Sequence, residues 1–345
     1  MKNLRNLFSI TAGLIILLVA GCNKEDFQIL PEAKLNPEYL MMPVDNSGLS
    51  RYLSEIKSEI EALLSSGTLN RGNANSLIVK INNAIKSAWN NNTSAIDGQL
   101  SSIKNELNDF IDNEIIPESA GMELLSSIES GIILNNGSFT DPLSGYDYPV
   151  VLIGDQLWME ENLRVTKFND GTAINQITDN VLWVETTGPA FCWYENNYDG
   201  YGSVYGALYN WYAVENGKLC PSGWHVPSSA EYAALSQYLG GDPVAGGKMK
   251  ETGTDHWQIP NTGATNESGF NSLPGGLRMG AFDGVHDGTF NYIQRFGCWW
   301  TTTEPLNTGP FELAYNVNNF YAAAYFTRSG MNSKKTGLSV RCVKD

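Results

Sequence analysis

The sequence predicts two unlike regions, a small all-α helical bundle followed by an α+β domain, and three observations carry that expectation. Aromatic residues are unevenly placed: eight of nine tryptophans and fourteen of sixteen tyrosines lie after residue 140. Before that point Leu and Ile recur at spacings of three and four, as on the inner face of helices. After it, short apolar runs alternate with Gly and Asn turns, the pattern of short strands. The break near residues 135–140 separates a bundle at 49–136 from a domain at 138–345.

The chain opens with Lys2 and Arg5, then an apolar run over residues 7–20 that closes on Leu18, Val19, Ala20, Gly21 and Cys22. That run is too short to cross a bilayer, which takes about 20 apolar residues, and has the layout of an export signal. Its ending resembles a bacterial lipobox, which implies a signal peptide over 1–21 and lipid on the Cys22 sulfur. Asn23, Lys24, Glu25 and Asp26 resemble the charged signal of lipoproteins carried to the outer face of the outer membrane. The expectation is a cell-surface lipoprotein that touches the membrane through its lipid anchor only. Residues 22–48, with Pro31, Pro37 and Pro43, suit an extended tether.

From Leu49 the period becomes helical. Leu53, Ile56, Ile60, Leu63 and Leu64 share one face, and Gly67 can end that helix. Ile78, Ile81 and Ile85 mark a second helix, and Leu100, Ile103, Leu107, Phe110 and Ile111 a third. The apolar positions from Leu53 to Ile85 recur 47 residues later, from Leu100 to Ile132. Every matched pair is apolar, so what repeats is a buried face. The reading is an antiparallel bundle of two similar helical hairpins, serving as a stalk.

The domain after residue 138 begins with "YPVVLIGDQLWMEENL", a strand over 150–153, a turn at Gly154 and Asp155, and a second strand through Trp158. In "VYGALYNWYAVENG", Leu208, Trp211 and Tyr212 stand at helical spacing, and Gly217 is the stop. "CPSGWHVPSSAEYAALSQYLGG" holds the best helix start in the chain. Ser228 and Glu231 form a capping box, and Pro227 and Tyr232 a hydrophobic staple. Tyr232, Leu235 and Leu239 give a buried face, and Gly240 with Gly241 ends it.

These stretches, with "GGKMKETG", "SGFNSLPGGLR", "CWWTTTE" and the terminal "GLSVRCVKD", resemble the Fibrobacter succinogenes major paralogous domain over about residues 138–345. That family is related to formylglycine-generating enzymes and C-type-lectin-like proteins. The resemblance implies a C-type-lectin-like α+β fold, with two helices beside a twisted antiparallel sheet and paired terminal strands. It places Cys220 before the helix and Cys342 in the last strand, and so implies a disulfide between them. With Cys22 assigned to lipid, Cys192 and Cys298 remain as a weaker second pair in an even set.

Charge and chemistry narrow the function. The net charge is −15, shared between the halves: 16 acidic and 10 basic residues up to 140, then 21 and 12. Without a basic patch, nucleic acid is not an expected partner. Catalysis of the copper-dependent formylglycine type needs a late pair of cysteines. Cys298 and Cys342 are far apart, and Cys298 in "GCWW" stands where relatives carry an aromatic residue, so no enzyme is expected. His225, His256 and His286 sit about 30 residues apart, without zinc-ligand spacing. No metal site is assigned, although "YENNYDGYG" offers calcium oxygen ligands. Glu304, Pro305 and Leu306 break the Glu-Pro-Asn triplet of calcium-dependent lectins.

What remains is binding. Residues 301–333 are rich in Thr, Asn, Tyr, Phe and Ser with few charges, as paratopes are. Asn316, Asn318, Asn319, Tyr321, Tyr325, Asn332 and Ser333 are the candidate contacts to a glycan or a cell-surface protein. The composition of 291–333 also suits a surface diversified by a retroelement. The alternative is a structural subunit of a surface layer or fibre.

Overall fold

Residues 47–280, 287–306 and 312–345 are described by a computed structural model of the chain. The expected signal 1–21, Cys22, nearly all of the expected tether and His286 lie outside the described residues.

Four helices come first: α1 Ser47–Ser65, α2 Arg71–Trp89, α3 Thr93–Asp112 and α4 Glu118–Asn136. The bounds of α4 are those of α2 moved by 47 residues, so the apolar repeat is a repeat of helical hairpins. Leu53, Ile56, Ile60, Leu77 and Ile81, with their counterparts Leu100, Ile103, Leu107, Leu124 and Ile128, are at most 2% exposed. Successive helices pack on one another, and α1 closes the bundle against α4. Asn70 and Asn92 cap α2 and α3, their side-chain oxygens accepting from the amides of Asn73 (3.0 Å) and Ala95 (3.1 Å). Gly137, in the left-handed region at φ 71°, ends α4.

The strands that follow are short. They are β1 Ser138–Thr140, β2 Asp147–Ile153, β3 Gln156–Met159, β4 Asn175–Gln176, β5 Ala190–Cys192, β6 Leu208–Tyr209 and β7 Trp224–His225. After them come β8 Leu277–Arg278, β9 Phe290–Asn291, β10 Phe296–Trp300, β11 Leu313–Phe320, β12 Phe326–Ser333 and β13 Val343–Lys344. The helices among them are α5 Asn180–Glu185, α6 Ser203–Tyr205, α7 Trp211–Val214, α8 Ser229–Tyr238 and α9 Asp242–Met249. One sheet runs β1-β2-β3-β13-β7, which pairs strands from the two ends of the domain, with Val343 opposite Trp158. A second is β10-β11-β12, antiparallel throughout, with a register shift between Asn316 and Asn318. Helices α8 and α9 pack on β11 and β12. The region is α+β.

Two local expectations need correction. Leu208 is not helical: it lies in β6, because the backbones of Tyr209 and Leu338 exchange hydrogen bonds of 2.8 and 3.0 Å, and only Trp211–Val214 turns as a helix. Cys192 and Cys298 are free thiols. They sit on strands of different sheets and in different apolar clusters, which keeps them from pairing.

The bundle does not stand apart from the domain; both belong to one compact unit, Val44–Asp345. Ile133 and Leu134 of α4 pack on the domain core. Arg51 donates to the Gly154 carbonyl at 2.8 Å and meets Asp155 at 3.2 Å.

Inside the domain, all eight tryptophans are at most 8% exposed. Arg278 and Arg341 are fully buried, and neither has a carboxylate partner among the described residues. Neutral groups solvate them instead. Arg278 donates to the carbonyls of Ile177, Thr178 and Gly288 and to Asn180. Arg341 donates to Asn162 and to the carbonyls of Met159 and Phe270, with the Phe270 ring 4.3 Å away.

Candidate functional site

The stretch around Cys220 and His225 is the most reactive-looking in the sequence, and its geometry is structural. Cys220 and Cys342 form a disulfide, their Cα atoms 6.1 Å apart, within the ordinary range. His225 contacts Asp345 through Nδ1 and Glu231 through Nε2, each at 2.6 Å. The Glu231 hydrogen bond is the chief reason that its pKa is raised, with Asp345 adding to it against the effect of burial. Burial also works against the Glu231 carboxylate, yet bonds from His225 and from Ser228 N and Oγ hold its pKa down to about 2. The capping box of α8 is therefore one end of an ionic link to Asp345, whose backbone oxygen accepts from Ser126 of α4 at 3.3 Å.

The two free cysteines among the described residues, Cys192 and Cys298, are buried. Burial pushes both Cys192 and Cys298 up to about 12, so each stays a neutral thiol at ordinary pH. Among the described residues no three His, Cys, Asp or Glu side chains gather as a metal-binding group. In the loop over 194–202, which offers oxygen ligands, Asn197 Oδ1 accepts from the Gly200 amide at 2.9 Å, and Asn196 donates to the Thr178 carbonyl at 3.1 Å.

The domain fixes one turn with unusual care. Between β11 and β12 the chain reverses over residues 321–325, and beneath it lies Lys250, fully buried. Its Nζ donates to the carbonyls of Thr262 (2.9 Å), Phe320 (3.2 Å) and Ala323 (2.9 Å). Burial lowers its pKa to about 8. Gly246 and Gly247 of α9 let backbone come close: a Cβ on the first would stand 2.4 Å from the Tyr325 carbonyl oxygen, and on the second 2.3 Å from that of Gly263. The Tyr321 amide donates to Arg295 O, and its carbonyl accepts from Thr262 N.

This clamped turn ends a ladder of rings. Tyr292 to Phe296, Phe296 to Phe320, and Phe320 to Tyr321 have centroid separations of 5.2, 4.7 and 4.6 Å, spacings typical of interacting aromatic pairs. None of the four is buried, and Tyr292 is 48% exposed. Beside the ladder is an open cleft of about 330 Å³ lined by Gln258, Asn291, Tyr292, Ile293, Gln294 and Arg295. Tyr292 and Gln294 both hold φ near 65°, a conformation rare for non-glycine residues and strained for a bulky one. Bonds from Arg295 N and Phe296 N to the Tyr292 carbonyl, and from Gln258 N to that of Gln294, hold the loop in this form.

The seven residues singled out from the sequence divide by burial. Asn316, Asn319 and Ser333 are interior, at most 5% exposed, and belong to the scaffold. Asn319 donates to Ser272 Oγ at 2.9 Å, and Asn316 Oδ1 accepts from Asn332 at 2.9 Å. Asn318 and Asn332 are half-buried along β11 and β12. Tyr321 belongs to the ring ladder, and Tyr325, at 50% exposed, stands at the far end of the same turn. Tyr292, Phe296 and Arg295, within residues 291–333, and Gln258 are not among the seven, although "NYIQRF" combines two rings, two amides and a guanidinium within six residues.

A model of the Fibrobacter succinogenes major domain matches residues 151–344, more than half of the chain. The chain belongs to the Fibrobacter succinogenes major domain family. The matched span takes in this chain's disulfide, clamped turn and ring ladder, and leaves the four-helix bundle outside it. No curated protein and no solved structure matches the chain.

Proposed function

We propose that this protein is a surface-anchored lipoprotein whose Fibrobacter succinogenes major domain is a non-catalytic, C-type-lectin-like binding module for glycans. The observation that carries the reading is the ladder Tyr292–Phe296–Phe320–Tyr321 beside a cleft of amides and one guanidinium. Aromatic faces stack on the apolar face of a pyranose, and amides serve hydroxyl groups as both donors and acceptors. Rigid support matters as much as composition. The Lys250 clamp and the braced loop over 292–295 fix the rings before a ligand arrives, which lowers the entropic cost of binding. The lipobox-like ending at Cys22 supports the anchor, and the bundle would hold the module away from the lipid surface.

A glycan array probed with the full chain tests the binding reading. The expected result is retention of at least one glycan class, lost in the double variant Tyr292→Ala/Tyr321→Ala while the variant stays folded and unfolds cooperatively. Absence of any retained glycan, or retention unaffected by the double variant, would overturn it. Mass spectrometry of the mature N-terminus tests the anchor, which requires a lipid-modified Cys22.

A further inference from the structure

The cleft contains a cation that no carboxylate neutralises among the described residues. Arg295 is exposed, and its Nε donates to Gln258 Oε1 at 2.7 Å. That bond orients the guanidinium plane and leaves both terminal amino groups without a hydrogen bond among the described residues. No carboxylate pairs with it there. The contrast with the domain's other arginines is sharp. Arg164 bonds Glu161 at 2.6 Å and Arg328 bonds Asp242 at 2.6 Å, while Arg278 and Arg341 are buried in carbonyl cages. In a chain with 37 acidic against 22 basic residues, an arginine braced by a glutamine and without a carboxylate among the described residues is the exception.

We infer that the cleft selects a carboxylate-bearing saccharide, of uronate or sialate type, whose carboxylate is held by the two free amino groups of Arg295 while its ring rests on Tyr292. This rests on the glycan-binding reading above and narrows it. The guanidinium fork matches a carboxylate with two parallel N–H···O bonds, a geometry that a hydroxyl cannot satisfy in the same way. Asn291 and Gln294, also lining the cleft, are the groups available to the sugar hydroxyls. The net charge of −15 does not prevent this. At physiological salt, interactions beyond about 8 Å are largely screened, so the local guanidinium decides.

The test measures the full chain against polygalacturonate, the same polymer fully methyl-esterified, and polysialate, in 0.15 M salt. The expected result is binding to an acidic polymer, abolished by esterification and weakened at least tenfold in Arg295→Gln, with unchanged thermal stability. Arg295→Lys should recover only part of the loss, because an ammonium cannot present the fork. Polygalacturonate against polysialate decides which acid the cleft accepts. Equal binding to acid and ester, or an unaltered affinity in Arg295→Gln, overturns the inference and leaves glycan binding standing. Binding only to neutral glycans of the array does the same, whereas failure to bind any glycan removes both.

Discussion

Removing the Cys220–Cys342 disulfide should be the most damaging two-atom change available in the domain. The bond joins residues 122 apart in sequence, and both cysteines are at most 2% exposed. Closing a loop of that length removes about 5 kcal/mol of conformational entropy from the unfolded chain. A domain of this size shifts by roughly 2 to 4 °C per kcal/mol, so Cys220→Ala/Cys342→Ala should melt about 10 to 20 °C lower. The appropriate assay is urea unfolding of the oxidised protein, the reduced protein and the double variant, extrapolated linearly. Reduced and variant proteins should agree with each other and differ from the oxidised one. Cys192 and Cys298 serve as internal controls, since buried thiols are alkylated only when the chain opens. Matching midpoints for oxidised and reduced protein would refute the reasoning, as would alkylation of Cys220 without reductant.

Other outcomes follow from single contacts. The raised pKa of His225 makes its two carboxylate bonds stabilising below about pH 6.5, the value of a free histidine, and that contribution is lost as pH rises through the folded value. Glu231 works the other way: its contribution is present above about pH 4.5 and lost as pH falls toward about 2. Thermal melts of His225→Gln against the parent chain should therefore differ most between those limits and converge at alkaline pH. Gly246→Ala would press a methyl group to 2.4 Å from the Tyr325 carbonyl. It should cost about 1 to 3 kcal/mol and weaken ligand binding by moving the clamped turn, as read from urea midpoints and affinity together. Arg341→Met would strip donors from the buried carbonyls of Met159 and Phe270. At about 1 to 3 kcal/mol per orphaned group, denaturation should show a loss of about 2 to 6 kcal/mol.

Much of this architecture is legible where the information is local. The capping box at Ser228 and Glu231 needs only three residues and forms as read. The 47-residue offset locates both helical hairpins because each turn of helix returns an apolar residue to one face. Where the partner is remote, spacing misleads. Leu208, Trp211 and Tyr212 fit a helix, but hydrogen bonds to Leu338 draw residues 208 and 209 into a strand. Composition marks residues 301–333 as polar and aromatic without telling which side chains face inward. Asn316, Asn319 and Ser333 lie inside because β11 runs between β10 and β12 with α8 and α9 packed against it. An even number of cysteines likewise says nothing about the separation of Cys192 from Cys298. The ring ladder is hidden for a similar reason: Phe296 meets Phe320 only through the register of β10 on β11.

The central claim is that ligands are gripped by the ring ladder and its cleft. Its most direct measurement is the affinity of one array-identified glycan for the parent chain, Tyr292→Ala/Tyr321→Ala and Asn332→Ala. Two aromatic contacts at about 0.5 to 1.5 kcal/mol each amount to about 1 to 3 kcal/mol. The predicted result is an affinity roughly 5- to 150-fold weaker in the tyrosine variant and unchanged in Asn332→Ala. An unchanged affinity in the tyrosine variant, with loss in Asn332→Ala, would contradict the claim and move the site to the β11–β12 face.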